Sequence, residues 1–243
     1  MTRSPDRVRG DEYGDRHAFL SRASTHGARD NVENHAHPLP DASLAAGLVP
    51  IGYKVLDVGD LVSSFVRNAT AALLDVHRLA APLPPDEFLR ALIDSESIAT
   101  VVTSSHPTAV AVGERMQSLG CEVGLYTPER GAAADLGITS PNWGIAATGS
   151  LVQDSSVEGG RGASLLPRKH LAIVTTDRIV GTTADVFSTF NQRTAGMPAN
   201  VVLISGPSRT GDIEMILTIG VHGPVKVIVA VVDSVRDGAS AEA

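Results

Sequence analysis

The stretch from residue 98 to residue 126 constrains this chain more than any other. A β-branched run at 98–103 leads to Pro107, which suits the first turn of a helix; Gly120 then suits a helix exit, and a second short apolar run fills 121–126. Strand, helix and strand joined this tightly predict parallel strands, because a crossover helix covers the sheet and keeps its apolar face from water. The expected class is therefore α/β with a mainly parallel sheet.

The rest of the body fits that expectation. Asp60 is placed to cap a helix whose apolar face runs Leu61, Phe65, Ala69, Leu73 and Val76. After Pro82, Pro84 and Pro85, Asp86 is placed to cap a shorter helix through Phe88, Leu89 and Leu92. Further strands are expected at 170–174, at 201–205, where the apolar run reads as buried, and at 225–232, with helices within 180–190, capped by Thr182 or Thr183, and at 212–219, ended by Gly220. The segment 145–152 reads as a hairpin or as one strand bent at a glycine bulge. Residues 1–50 differ: basic and acidic residues alternate without apolar period, and His17, His26, His35 and His37 lie there without metal-site spacing. They are expected to be a disordered or loosely packed segment ahead of an α/β domain at 51–243.

Composition removes several function classes. With 20 Lys and Arg against 27 Asp and Glu, the formal charge is −7, so the chain lacks the basic surface that drives phosphate-backbone affinity. Nucleic acid is not an expected partner. A single cysteine, Cys121, excludes an intrachain disulfide and an iron–sulfur cluster held by this chain's own thiolates. The apolar run at 225–232 contains Lys226 and falls far short of the roughly 20 residues that span a bilayer, and no secretory h-region follows Met1. A cytoplasmic protein without a transmembrane segment is expected.

Two segments are candidates for chemistry. In ISGPSRTGDIE at 204–214 an apolar run passes into small polar residues and then into the expected helix. Gly206 permits close approach, Ser208 or Thr210 can cap orphan amides, and Arg209 can pair with a carboxylate or phosphate. The competing reading is ordinary capping, since Asp212 and Glu214 already supply negative charge in the first turn. In AATGSLV at 146–152, Thr148, Gly149 and Ser150 offer two hydroxyls around a glycine, either to a ligand oxygen or to the backbone. Arg161, in a glycine-rich loop, is either a mobile source of positive charge or surface. His170 reads as half-buried with one backbone bond, or as a ligand contact; His222 reads as turn packing or as a contact; His106 gains interest only if Ser104 and Ser105 also face inward. No Walker A loop, no GxGxxG fingerprint and no metal-specific constellation is present. No metal and no cofactor is expected on this chain.

Taken in order, FV at 65–66, ADLGIT at 134–139, AATGSLV at 146–152, GRG at 160–162, SLLP at 164–167, His170, ISGPSRTGDIE at 204–214 and GVHGP at 220–224 resemble the LUD-domain family, in its C-type lactate-utilisation branch. The resemblance covers about residues 61–233. It implies a three-layer α/β sandwich like that of ribose-5-phosphate isomerase, glucosamine-6-phosphate deaminase and the CoA transferases. It also implies an accessory role in a bacterial system that oxidises L-lactate to pyruvate, with iron–sulfur clusters on the partner proteins and a small organic anion as ligand. An isomerase or acyl/CoA-handling enzyme and a noncatalytic interaction scaffold are the alternatives; no stand-alone redox activity is expected. Many members read AETGT at the central turn, whereas this chain has Ala147 and Ser150 there. The carboxylate is gone and a hydroxyl is kept, so an activity that depends on that glutamate would be absent.

Overall fold

The computed structural model describes residues 60–158, 161–192, 198–211, 217–219 and 223–234. Asp60 caps helix α1 (Leu61–Ala71) by accepting the Val62 and Ser63 amides, satisfying donors that a helix start leaves open. Strand β1 (Asp75–Leu79) follows, then α2 (Asp86–Glu96), β2 (Thr100–Thr103), α3 (Pro107–Ser118), β3 (Glu122–Leu125), α4 (Pro128–Ala133) and β4 (Leu136–Thr139). Beyond these come β5 (Trp143–Ile145), β6 (Ser150–Asp154), the single turns α5 (Ser155–Glu158) and α6 (Gly162–Leu165), β7 (Lys169–Thr175) and β8 (Ile179–Val180). The described elements end with α7 (Thr183–Asn191), β9 (Val201–Ile204), β10 (Arg209–Gly211), β11 (Leu217–Ile219) and β12 (Lys226–Val232).

Six strands form one parallel sheet in the order β1-β12-β7-β4-β2-β3. Alternate residues supply its two faces. Leu136, Ile138, Leu171, Ile173, Ile228 and Ala230 pack with Leu89 and Leu92 of α2 and with Ala109, Val112 and Met116 of α3. Ala172, Val174, Val227, Val229 and Val231 pack on the other side with Phe65 and Ala69 of α1 and with Ala146 and Leu151. Burial on both faces explains why β12 reads as unbroken apolar sequence. The strands β8-β5-β6-β9 form a second, smaller sheet, in which β5, β6 and β9 are successively antiparallel. Its outer side is closed by Val186 and Phe190 of α7 against Trp143, Ile145 and Val152, with the Trp143 and Phe190 rings edge-to-face at 5.2 Å. The class is α/β with a mainly parallel sheet, as the strand–helix–strand spacing implied, and the 145–152 segment is the hairpin of its two readings.

Four local expectations are corrected. Leu73 and Val76 are not on α1: Leu73 turns left-handed (φ 65°) and is exposed, and Val76 is on β1. Asp86 is the first residue of α2 rather than its cap, a position that Pro85 takes without a side-chain bond; the Asp86 carboxylate pairs with Arg115 of α3 instead. The segment 201–205 is half-buried rather than core, with Leu203 exposed. The helix expected at 212–219 is overturned at 217–219, because Leu217–Ile219 pairs antiparallel with Arg209–Gly211; residues 212–216 lie outside the described residues. Leu217, Thr218 and Ile219 sit well on a pleated strand, and Gly211 removes helix propensity at the expected start. Residues 1–50 lie outside the described residues.

One charge network ties the amino-terminal ends of three strands together. Lys169 and Lys226 are register neighbours on β7 and β12, a like-charge pair that needs a counter-ion. Glu96, at the end of α2, supplies it: its carboxylate lies 2.6 Å from the Lys226 Nζ and 3.4 Å from the Lys169 Nζ, while Asp75 on β1 is 2.8 Å from Lys226. Hydrogen bonding from Lys226 holds the Glu96 carboxyl below its ordinary range. Burial tends to raise the Asp75 carboxyl, but bonding from Lys226 and the His77 charge bring it below its ordinary range. Carboxyls depressed in the fold contribute stability above their unfolded values and lose it as pH falls. Glu96→Gln is expected to cost about 1–2 kcal/mol at pH 7. In urea titrations the gap from wild type should narrow over the acid range, as pH falls through and below the ordinary carboxyl value of 4.5. A gap that stays constant over that range would remove Glu96 from the network.

Candidate functional site

The hairpin turn between β5 and β6 is seated on α1. Gly149 takes φ 67°, and a Cβ there would lie 2.1 Å from the Ala69 nitrogen and 2.4 Å from the Ala69 Cα. Only glycine lets the turn approach the helix backbone this closely. From the helix side, Asn68 Nδ2 donates to the Ala146 carbonyl at 2.7 Å and to the Ala147 carbonyl at 3.3 Å. The turn's amides are spent internally: Ala146 and Ala147 donate to the Val180 and Gly181 carbonyls, Thr148 and Gly149 to the Ile145 carbonyl, and Ser150 to the Thr148 hydroxyl. The turn therefore does not present the inward-pointing amides of an oxyanion hole. Its polar side chains carry hydroxyls.

Those hydroxyls join the two sequence segments. Thr148 Oγ1 donates to Ser150 Oγ at 2.8 Å, and Ser150 Oγ lies 2.7 Å from Ser205 Oγ, at the end of β9. Ser150 is buried, whereas Thr148 and Ser205 are exposed. A buried hydroxyl proton needs an acceptor, so the satisfied direction runs from Thr148 through Ser150 to Ser205. The Ser205 proton is then left facing outward. Ser205 was not singled out from the sequence, because it closes an apolar run and its partner lies far away along the chain. Asn68 was missed for the same reason.

Beyond Ser205 the chain turns at Gly206, where a Cβ would lie 2.7 Å from the Ala72 carbonyl oxygen behind α1. The Ser208 amide donates to the Pro224 carbonyl and the Val225 amide to the Arg168 carbonyl. These contacts put the 206–208 segment at the amino-terminal edge of the large sheet, beside the starts of β1, β12 and β7. Ligands of open parallel sheets ordinarily sit at the carboxyl edge, so the motif residues gather at the opposite end. Arg209 and Thr210 are on β10, so the segment enters a β-ladder rather than a helix, and the expected helix start for an anion is withdrawn. The side chains of Arg209 and Thr210, and His222 entirely, lie outside the described residues.

The remaining candidates are placed separately. Arg161 is exposed at the start of α6, and its carbonyl accepts the Ser164 hydroxyl. His170 is fully buried on β7, a correction to the half-buried reading, and its partner is a side chain: Nε2 lies 2.8 Å from Thr139 Oγ1 on β4. Its Nδ1 has no hydrogen-bond partner among the described residues, and burial pushes its pKa down to about 3. At the carboxyl edge, Ser104 is buried but Ser105 is exposed, so the condition set for His106 is half met. His106 Nδ1 accepts the Thr108 amide and caps α3. Burial, and then the Arg178 charge, lower its pKa. Ala147 packs against the Trp143 and Phe190 cluster, in apolar surroundings.

The part of the chain that holds the hairpin and the hydroxyl line, residues 122–232, matches the LUD domain. Among curated proteins it is similar to the uncharacterized protein YkgG of Escherichia coli K12, 34% identical over 134 residues, which is 51% of this chain and 58% of that protein. It is also similar to lactate utilization protein C 1 of Bacillus mycoides, 42% identical over 42% of this chain and 44% of that protein. Lactate utilization protein C of Bacillus subtilis 168 is 41% identical over 38% of this chain and 40% of that protein. The matches thus span about half the length of these relatives. A crystal structure of a DUF162 family protein from Deinococcus radiodurans shares the fold, with a TM-score of 0.53, 23% identity, and coverage of 71% of this chain and 96% of that one.

Proposed function

We propose that this chain is a component of L-lactate utilisation that handles a small organic acid beside redox partners. The observation that carries the reading is the similarity to proteins named lactate utilization protein C. The hydroxyl line suits such a ligand. A 2-hydroxy or 2-keto acid offers an oxygen that the outward Ser205 proton can meet, and 2-hydroxy and 2-keto forms differ in what they ask of a hydroxyl line. Ser150 and Thr148 hold that proton in direction from behind. With Cys121 as its single cysteine, the chain leaves electron transfer to partner proteins with iron–sulfur clusters, and its own part is accessory. Among the described residues no helix is long and apolar enough to cross a membrane.

Deletion of the gene in its native host tests this reading. Growth on L-lactate as sole carbon source should be lost while growth on glucose is kept, and the wild-type gene should restore it. A Ser205→Ala gene should restore growth more slowly, since one neutral hydrogen bond contributes about 1 kcal/mol, roughly a fivefold change in binding. A deletion strain that grows on L-lactate at the parental rate would retire the proposed role.

A further inference from the structure

Helix α1 lies outside residues 122–232 that match the LUD domain, yet both motif segments rest on it. Gly149 meets the backbone of Asn68 and Ala69, and Gly206 meets the Ala72 carbonyl. From α1, Asn68 bonds to the hairpin turn and holds two successive carbonyls, those of Ala146 and Ala147. We propose that Asn68 is the positioning residue of the hydroxyl line: its amide fixes the turn's rotation on the helix and so sets where Thr148 and Ser150 present their oxygens to Ser205.

Two carbonyls that point toward the same helix repel one another unless a donor stands between them. A carboxamide supplies two N–H groups from one nitrogen, and it can hold both carbonyls without a water. Without that donor, the Ala146 and Ala147 carbonyls must swing toward solvent. The Thr148 and Gly149 peptide planes then turn with them, because the backbone has only two soft dihedrals per residue. The 2.7–2.8 Å spacings among Thr148, Ser150 and Ser205 tolerate little such rotation. Asn68 touches no ligand; it acts through the turn. For its binding readout the proposal rests on the turn being the organic-acid site, but its structural readout does not.

The test uses the full chain with Asn68→Leu, which keeps the shape and removes the donor, and Asn68→Ala in case leucine overpacks. Site-resolved hydrogen exchange is read at the amides of Thr148, Gly149 and Ser150 and, separately, at those within α1. Calorimetric titration with L-lactate and with pyruvate is run on the same samples. The expected result is at least tenfold faster exchange at the turn amides with α1 exchange unchanged. Binding of whichever acid the wild type binds should weaken roughly tenfold, the effect of losing about 1.4 kcal/mol of oriented hydrogen bonding. Unchanged turn exchange in both variants overturns the proposal, and so does a rise of equal factor in the turn and α1, which would mark Asn68 as general packing. If the wild type binds neither acid, the ligand reading falls, while the exchange comparison still decides the role of Asn68.

Discussion

Replacing Gly149 with alanine is expected to destabilise the fold by about 2–4 kcal/mol, among the largest effects of any single-methyl addition to this chain. Two costs combine. An L-residue at φ 67° is strained, and the new Cβ would stand 2.1 Å from the Ala69 nitrogen, inside a helix that cannot yield locally. Gly120→Ala separates them: that residue also has positive φ, 101°, but no atom lies within 4 Å of an added Cβ. It should lose only the conformational part, about 1 kcal/mol. Urea titrations of the two variants measure the difference directly. Equal losses at both positions would mean that the turn does not press against α1, and the seating of the hydroxyl line would have to be redrawn.

The second large effect is a pH dependence carried by His170. Its native pKa of about 3 lies well below the ordinary histidine value of 6.5 because burial penalises the imidazolium. The unfolded chain therefore takes up a proton as pH falls through 6.5, whereas the folded chain does not. Stability from this group is complete above pH 6.5 and is lost toward pH 3, with a slope approaching about 1.4 kcal/mol per pH unit, or about 2 kcal/mol by pH 5. Carbon-13 and proton shifts of the His170 ring should stay at their neutral values down to at least pH 5. His170→Gln should fold with a shallower stability slope between pH 6.5 and 5, by close to one proton. A ring that titrates near 6 would place His170 in a wetter or anion-paired setting and cancel the predicted slope.

Local signals were the legible part of the fold. Asp60, Pro107 and the Thr182–Asp185 capping box mark helix starts through bonds made within a few residues, and the apolar run before Val232 marks a strand buried on both faces. What was not legible depends on distant partners. Leu73 ends α1 left-handed without a glycine or proline to announce it, since the packing of Leu74 and Val76 against the large sheet decides that boundary. The segment before Gly220 has helix-like apolar spacing, but a strand at Arg209–Gly211 stands ready to pair with it. The candidate site divided in the same way. Thr148, Gly149 and Ser150 could be named from their own turn, whereas Ser205 and Asn68 acquire meaning only across the hairpin and the helix. His170 could be named but not characterised, because full burial and a Thr139 partner are properties of the assembled sheet.

The strand order has a consequence for synthesis. β1 is the first strand of the described chain, and its one neighbour in the sheet is β12, the last. As the chain leaves the ribosome, β2, β3, β4 and β7 can pair while β1 waits with α1 already made, its apolar residues without a sheet to cover. Pairing across so long a separation is slow. Until Lys226–Val232 is made, β7 keeps an open edge and β1 has no neighbour to pair with. Arrival of β12 closes both at once, inserting Val227, Val229 and Val231 between them, so completion of the sheet waits for the last of its strands.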